Sequence, residues 1–216
     1  MMPPILLFKG ETYMTAYRMT HLPWEISASI LILVVFLIGV RIMLTKVWRE
    51  KTESIDALCL VIAGGISGIL LILFGLDMTA IKGMILCGIL IYASLSDIEK
   101  REVPDFVSVM ILILALVNFN MYNLPSMLIG AAMVFVPQMV IAVTRPERSV
   151  GGADIKISTA VAFLLGAQSG LFALIVGLTL AVVTMMILSR TDKNRKEKGF
   201  PLVPFLAVGS MIAYMI

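Results

Sequence analysis

Histidine, cysteine and charge are all scarce in this sequence, and each shortage removes a class of chemistry. Its 216 residues include one histidine, His21, which precedes the first long apolar run. An HExxH zinc site and a rhomboid-like Ser and His dyad therefore have no histidine in the right place. The two cysteines, Cys59 and Cys87, both sit inside apolar runs and form no CxxC pair. Neither a disulfide framework nor a zinc knuckle is expected, and no metal or other cofactor is implied. Charged residues make up only 14% of the chain against 60% hydrophobic, where soluble domains carry about 25% and about 45–50%. With a mean hydropathy of +1.02, the composition is that of a chain dissolved in lipid, and a soluble globular enzyme is excluded. A disordered or collagenous chain is excluded too, because apolar runs dominate and the 16 glycines follow no triplet period.

What the sequence has instead is a series of apolar runs long enough to matter. A bilayer core about 30 Å thick takes about 20 apolar residues per helix. Cutting at charge, proline and glycine gives spans near 25–44, 57–76, 80–96, 105–120, 125–143, 155–167, 170–189 and 200–216. The expectation is an all-α polytopic membrane protein of about eight transmembrane helices, with one domain over 25–216. The sixth run is short and leads into the turn-like stretch Gly166 to Gly170, so seven spans with one re-entrant piece stays open. Residues 1–24 are mixed in polarity, lack the pattern of a signal peptide, and read as an interfacial segment.

The few basic residues set an orientation. Arg41, Lys46, Arg49 and Lys51 flank the end of span one; Lys100 and Arg101 follow span three. Arg145, Arg148 and Lys156 lie between spans five and six; Arg190, Lys193, Arg195, Lys196 and Lys198 follow span seven. These alternate connections are expected to face the cytoplasm of a cytoplasmic-membrane protein, with both termini outside. The opposite connections, around 77–79, 120–123 and 168–169, contain no Lys or Arg. The basic loops are short and nearly free of aromatic residues, so they do not read as a nucleic-acid surface.

Two acidic residues stand apart from the solvated loops. Asp97 ends span three in Ser94-Leu95-Ser96-Asp97-Ile98, and Asp154 opens span six in Gly151-Gly152-Ala153-Asp154-Ile155-Lys156. Both fall at the cytoplasmic membrane boundary, where a carboxylate is costly unless partnered or hydrated. If helix packing brings them together, like-charge repulsion makes the pair share a proton. One can then act as base on water while its protonated partner polarises a peptide carbonyl. Structural roles compete with this reading: Asp154 as a helix cap, and Asp97 as a partner of Lys100 or Arg101.

The flanks of the two aspartates carry a family likeness. The stretch Asp97-Ile98-Glu99-Lys100-Arg101-Glu102-Val103-Pro104-Asp105 resembles the first aspartate motif of the type IV prepilin peptidases, and Gly151-Gly152-Ala153-Asp154-Ile155-Lys156 is similar to their second, Gly-x-Gly-Asp-x-Lys. The proline-bracketed run from Phe200 to Ala207 resembles the last helix of that family, so the likeness covers roughly 80–216. It implies an intramembrane aspartic peptidase with Asp97 and Asp154 as catalytic residues, supported by Gly151, Gly152, Lys156 and Pro104. The implied substrate is a prepilin or pseudopilin, cut between a short basic leader and an apolar helix, with no metal or nucleotide.

Physical roles follow for the supporting residues. Glycines before Asp154 allow positive φ and a tight turn, and Ala153 stands where the family has its second glycine. Pro104 disfavours helix at Val103, so a break is expected just after Asp97. Lys156 is open to two roles, acting on Asp154 or, the favoured one, snorkelling to headgroups. Many bacterial relatives also carry a cytoplasmic insertion with paired CxxC motifs and methylate the product. The loop 45–56 here is short and has no cysteine, so no methyltransferase activity is expected.

Other classes fit less well. A Ser/Lys dyad would need a serine near Lys82, the lysine nearest the outer side within a span, and none is close in sequence. The presenilin and signal-peptide-peptidase group shares the glycine-aspartate motif, but not the neighbourhood of Asp97. From a different class, a small transporter or proton- or cation-binding subunit could use the same two aspartates, although no repeat between the halves supports it.

Overall fold

The computed structural model describes residues 27–43, 53–144, 151–191 and 200–216. All regular structure in them is helical. The order is α1 (Ser27–Met43), then α2 (Glu53–Phe74), α3 (Met78–Lys100), α4 (Phe106–Leu116), a 3₁₀ turn (Met121–Asn123), α5 (Leu124–Thr144), α6 (Gly152–Leu165), α7 (Ala167–Thr191) and α8 (Val203–Met215). These eight α-helices match the eight apolar runs. The segment 1–24 and the basic residues of 45–51, 145–148 and 193–198 lie outside the described residues.

Lengths divide the helices into two groups. Ala57–Phe74, Met78–Lys100, Met121–Thr144 and Ala167–Leu188 are long and apolar enough to cross a membrane. In contrast, α4, α6 and α8 have 11, 14 and 13 residues, which at 1.5 Å per residue falls short of a bilayer core. Of these, α6 and α8 lie in the centre, and α4 turns one face to it. The main core joins Met84, Leu86 and Leu90 of α3 to Val107 and Ile111 of α4, Ile157 and Val161 of α6, and Val203 and Met211 of α8. Only 22%, 17% and 17% of the apolar windows of α2, α5 and α7 are buried, against 56% for α3. An exposed apolar surface of that extent is intelligible as a lipid-facing shell around the α3, α4, α6 and α8 core.

Packing depends on small residues, as expected where lipid removes most of the hydrophobic drive between helices. At the contact of α7 and α8, a Cβ added to Gly209 would collide with the Ala173 carbonyl and lie 2.7 Å from the Gly177 nitrogen. Gly166, with φ 82°, is the single residue between α6 and α7. The sequence suggested a turn from Gly166 to Gly170, but Gln168, Ser169 and Gly170 are already helical. One glycine in a conformation that L side chains rarely adopt completes the reversal.

Candidate active site

Asp97 opens the last turn of α3, which runs on to Lys100. The break expected just after Asp97 falls instead at Arg101, a C-cap in the left-handed region (φ 55°) whose N–H donates to the Asp97 carbonyl. The Ser96 hydroxyl then donates to the Glu102 carbonyl at 2.8 Å, folding the connection back over the helix end. Pro104 lies in this connection, and its carbonyl accepts from the Val107 N–H at 3.1 Å as α4 begins. The proline thus acts at the start of α4, while the left-handed residue ends α3.

Asp97 is 9% exposed; the Arg101 charge acts on it, but its hydrogen-bond partners are backbone amides. Its Oδ2 accepts from the Val203 N–H at 3.0 Å, with the Leu202 N–H as a second donor. These amides belong to the first turn of α8, where a helix has N–H groups without internal acceptors. Pro204 occupies that same turn. A carboxylate placed there completes the helix N-terminus and is favoured by its dipole.

Asp154 is the third residue of α6, ahead of the apolar span 155–167, and the Gly151 N–H bonds back to its carboxylate. This is half of a capping box, so the capping role is real. It also gives the motif glycine a reason different from the one expected. Gly151 has φ −56°, and positive φ among the described glycines is confined to Gly75 and Gly166. A Cβ at Gly151 would meet Asp154 Oδ2 at 2.9 Å, so a side chain there would have to displace the carboxylate. Gly152 and Ala153 are already helical. Alanine in place of the family's second glycine therefore strains nothing.

The two aspartates converge from α3 and α6. Burial, followed by the neighbouring Asp97 charge, pushes the Asp154 carboxyl up to about 6, against the weaker opposing effect of the Gly151 N–H. One turn deeper on α6, the Ser158 hydroxyl donates to Gln138 Oε1 of α5 at 3.0 Å, and both residues are buried. That bond fixes α6 against α5 directly below Asp154.

The structure gives Lys156 a partner that the sequence reading did not name. Its Nζ makes a 2.7 Å salt bridge to Asp105 Oδ1, with both side chains well exposed. Asp105 belongs to the first aspartate motif and Lys156 to the second, so the pair ties the two motif segments across the end of the bundle. A cavity of about 690 Å³ opens beside this end, lined by Tyr92, Ser96, Pro104 and Phe106 among others, and neither aspartate lines it. Among the described residues, no cluster of three His, Cys, Asp or Glu is placed to hold a metal ion.

Fold and site together define a polytopic helical membrane protein with two neighbouring carboxylates at one end of its bundle. Residues 84–188 match the model of the Type IV leader peptidase family, and the resemblance read from the two aspartate motifs is borne out. Both Asp97 and Asp154 fall inside the matched stretch, whereas α8 lies beyond it. The chain is also similar to the prepilin leader peptidase/N-methyltransferase of Bacillus subtilis (strain 168), at 27% identity over 164 residues. That similarity takes in 73% of this chain but 62% of the relative, so the chain spans less than two thirds of the relative's length. No solved structure matches it.

Proposed function

We propose that this protein is a membrane-embedded aspartic endopeptidase that removes the basic leader from prepilin-like or pseudopilin precursors at the cytoplasmic face of the cytoplasmic membrane. The observation that carries the reading is the convergence of Asp97 and Asp154, two scarce carboxylates from separate helices, close enough that one charge acts on the other. A pair of this kind holds one proton between its members over part of the physiological pH range.

The two environments suggest a division of labour. Asp97 accepts two α8 amides that hold its carboxylate in place, so it serves as the base that takes a proton from the attacking water. Asp154, with a single backbone donor and a carboxyl at about 6, carries the shared proton and polarises the scissile carbonyl. Water adds to that carbonyl, and the proton gained by Asp97 passes to the departing amine. The leader and the shortened pilin are the two products. The basic connections, by their alternation, favour a cytoplasmic location for this end of the bundle. A leader can then remain in water while the apolar helix behind it stays in lipid.

The reading is confined to peptidase chemistry. The segment between α1 and α2 is short and has no cysteine, so N-methylation of the product by purified enzyme and S-adenosylmethionine is not expected. The direct test is co-expression with a short precursor bearing a basic leader followed by about 20 apolar residues, read as a size shift. Processing by the wild type and none by either Asp97→Asn or Asp154→Asn is expected. Wild-type-like processing by both variants would sink the proposal.

A further inference from the structure

The opposite end of α3 carries a half-buried ionisable group that the proposed peptide cleavage does not use. Lys82 lies four residues into α3, about 22 Å along the helix from Asp97. Its Nζ donates to the Val117 carbonyl at 3.1 Å and more weakly to the Ala115 carbonyl at 3.4 Å, at the end of α4. An ammonium has three N–H donors, so these bonds leave at least one uncommitted. Neutral acceptors satisfy hydrogen bonds without cancelling the charge.

A cavity of about 260 Å³ opens beside this ammonium. Its polar walls are Lys82, Asn118, Asn120, Asn123 and Ser126, and no acidic residue lines it. Asp77, the acid nearest along the chain, lies outside the cavity and accepts from the Thr79 hydroxyl at 2.8 Å. Several of the wall residues spend an oxygen on the backbone. Asn120 Oδ1 accepts from the Tyr122 N–H, and Ser126 Oγ accepts from the Ala167 N–H, both at 3.1 Å. Their NH₂ and O–H groups remain as donors. The volume exceeds that of several waters, at about 30 Å³ each, so a tetrahedral anion fits with room for hydration.

The setting favours a lipid over a free solute. Tyr122, next to the cavity wall, is 92% exposed, as suits an aromatic side chain at a headgroup boundary. The outer face of α4 leading towards the cavity is an apolar strip of exposed Leu112, Ile113 and Leu116. We propose that this cavity binds the phosphate of an anionic phospholipid headgroup, with Lys82 supplying the charge, the asparagines and Ser126 the hydrogen bonds, and α4 the surface for an acyl chain. The recognised chemistry is a phosphate, which a free phosphate ion shares.

The test is native mass spectrometry of the full chain in detergent, titrated separately with phosphatidylglycerol and phosphatidylcholine. Wild-type protein is expected to retain phosphatidylglycerol at least about fivefold better, as a charge-assisted contact predicts. Lys82→Arg should keep that preference, and Lys82→Gln should lose it. Asn123→Ala, which leaves the Lys82 bonds to α4 in place, should weaken it by about threefold and serves if Lys82→Gln does not fold. Inorganic phosphate in excess is expected to leave the lipid bound. Displacement of the lipid by phosphate would overturn the lipid assignment. Equal retention of both lipids by the wild type, or an unchanged preference in both Lys82→Gln and Asn123→Ala, would overturn the site itself.

Discussion

The two ends of α3 present the same problem, a charge near the membrane boundary, and resolve it differently. At one end Lys82 faces the carbonyls that close α4, an arrangement in which cation and helix terminus each satisfy the other. At the other, Asp97 caps α8, but a second carboxylate, Asp154, lies half-buried near it and is pushed up to about 6. The first arrangement stabilises the fold and leaves the charge whole. The second caps two helices but sets two like charges near each other.

That contrast can be broken most severely at the carboxylates. Asp97→Asn and Asp154→Asn should each lower precursor processing by about 10³-fold or more, because a shared-proton pair acts as a unit. Helical circular dichroism should stay as in the wild type. A smaller effect, on stability, is expected at the opposite end. Lys82→Met removes the donor to the Ala115 and Val117 carbonyls and should cost about 0.5–1.5 kcal/mol, read as a lower midpoint of thermal unfolding in detergent.

Asp154→Asn should move stability the other way. The folded-state carboxyl at about 6 lies above the unfolded value of about 3.9, so its ionisation destabilises the fold. Wild-type stability is then lower above pH 6 and recovers as pH falls towards 4. The variant should be more stable than the wild type at pH 8, by about 1 kcal/mol once partial solvent screening is allowed for, and the gap should close below pH 4. Thermal unfolding at the two pH values checks both sign and window. The smallest effect belongs to Lys156→Gln. Its salt bridge is exposed, and its loss should change stability by less than about 0.5 kcal/mol in the same measurement, with the difference shrinking in high salt.

Much of this was legible in the sequence because lipid makes charge informative. The spans follow from where charge interrupts apolar runs, and Asp97 and Asp154 stand out because few acids occupy such positions. Pairings across the bundle were not legible. The Lys156 partner, Asp105, is 51 residues away, and which side chains meet depends on the rotation of α4 against α6. The Leu202 and Val203 amides that hold Asp97 carry no side-chain signal, and Pro201 and Pro204 were their only trace. At Gly151 a positive φ was expected, whereas its φ is −56° and its close neighbour is the Asp154 carboxylate.

The single-residue joint at Gly166 has a mechanical consequence. Asp154 stands 12 residues from it along α6, an arm of about 18 Å. A swing of about 5° at the joint would therefore carry the carboxylate through about 1.5 Å, and displacements near 1 Å already alter rates by about 100-fold. With no slack between α6 and α7, and with α5 bonded to α6 through Gln138 and Ser158, such a swing is braced on two sides. The position of Asp154 is thus set in part by Gly166, at the opposite end of the same helix.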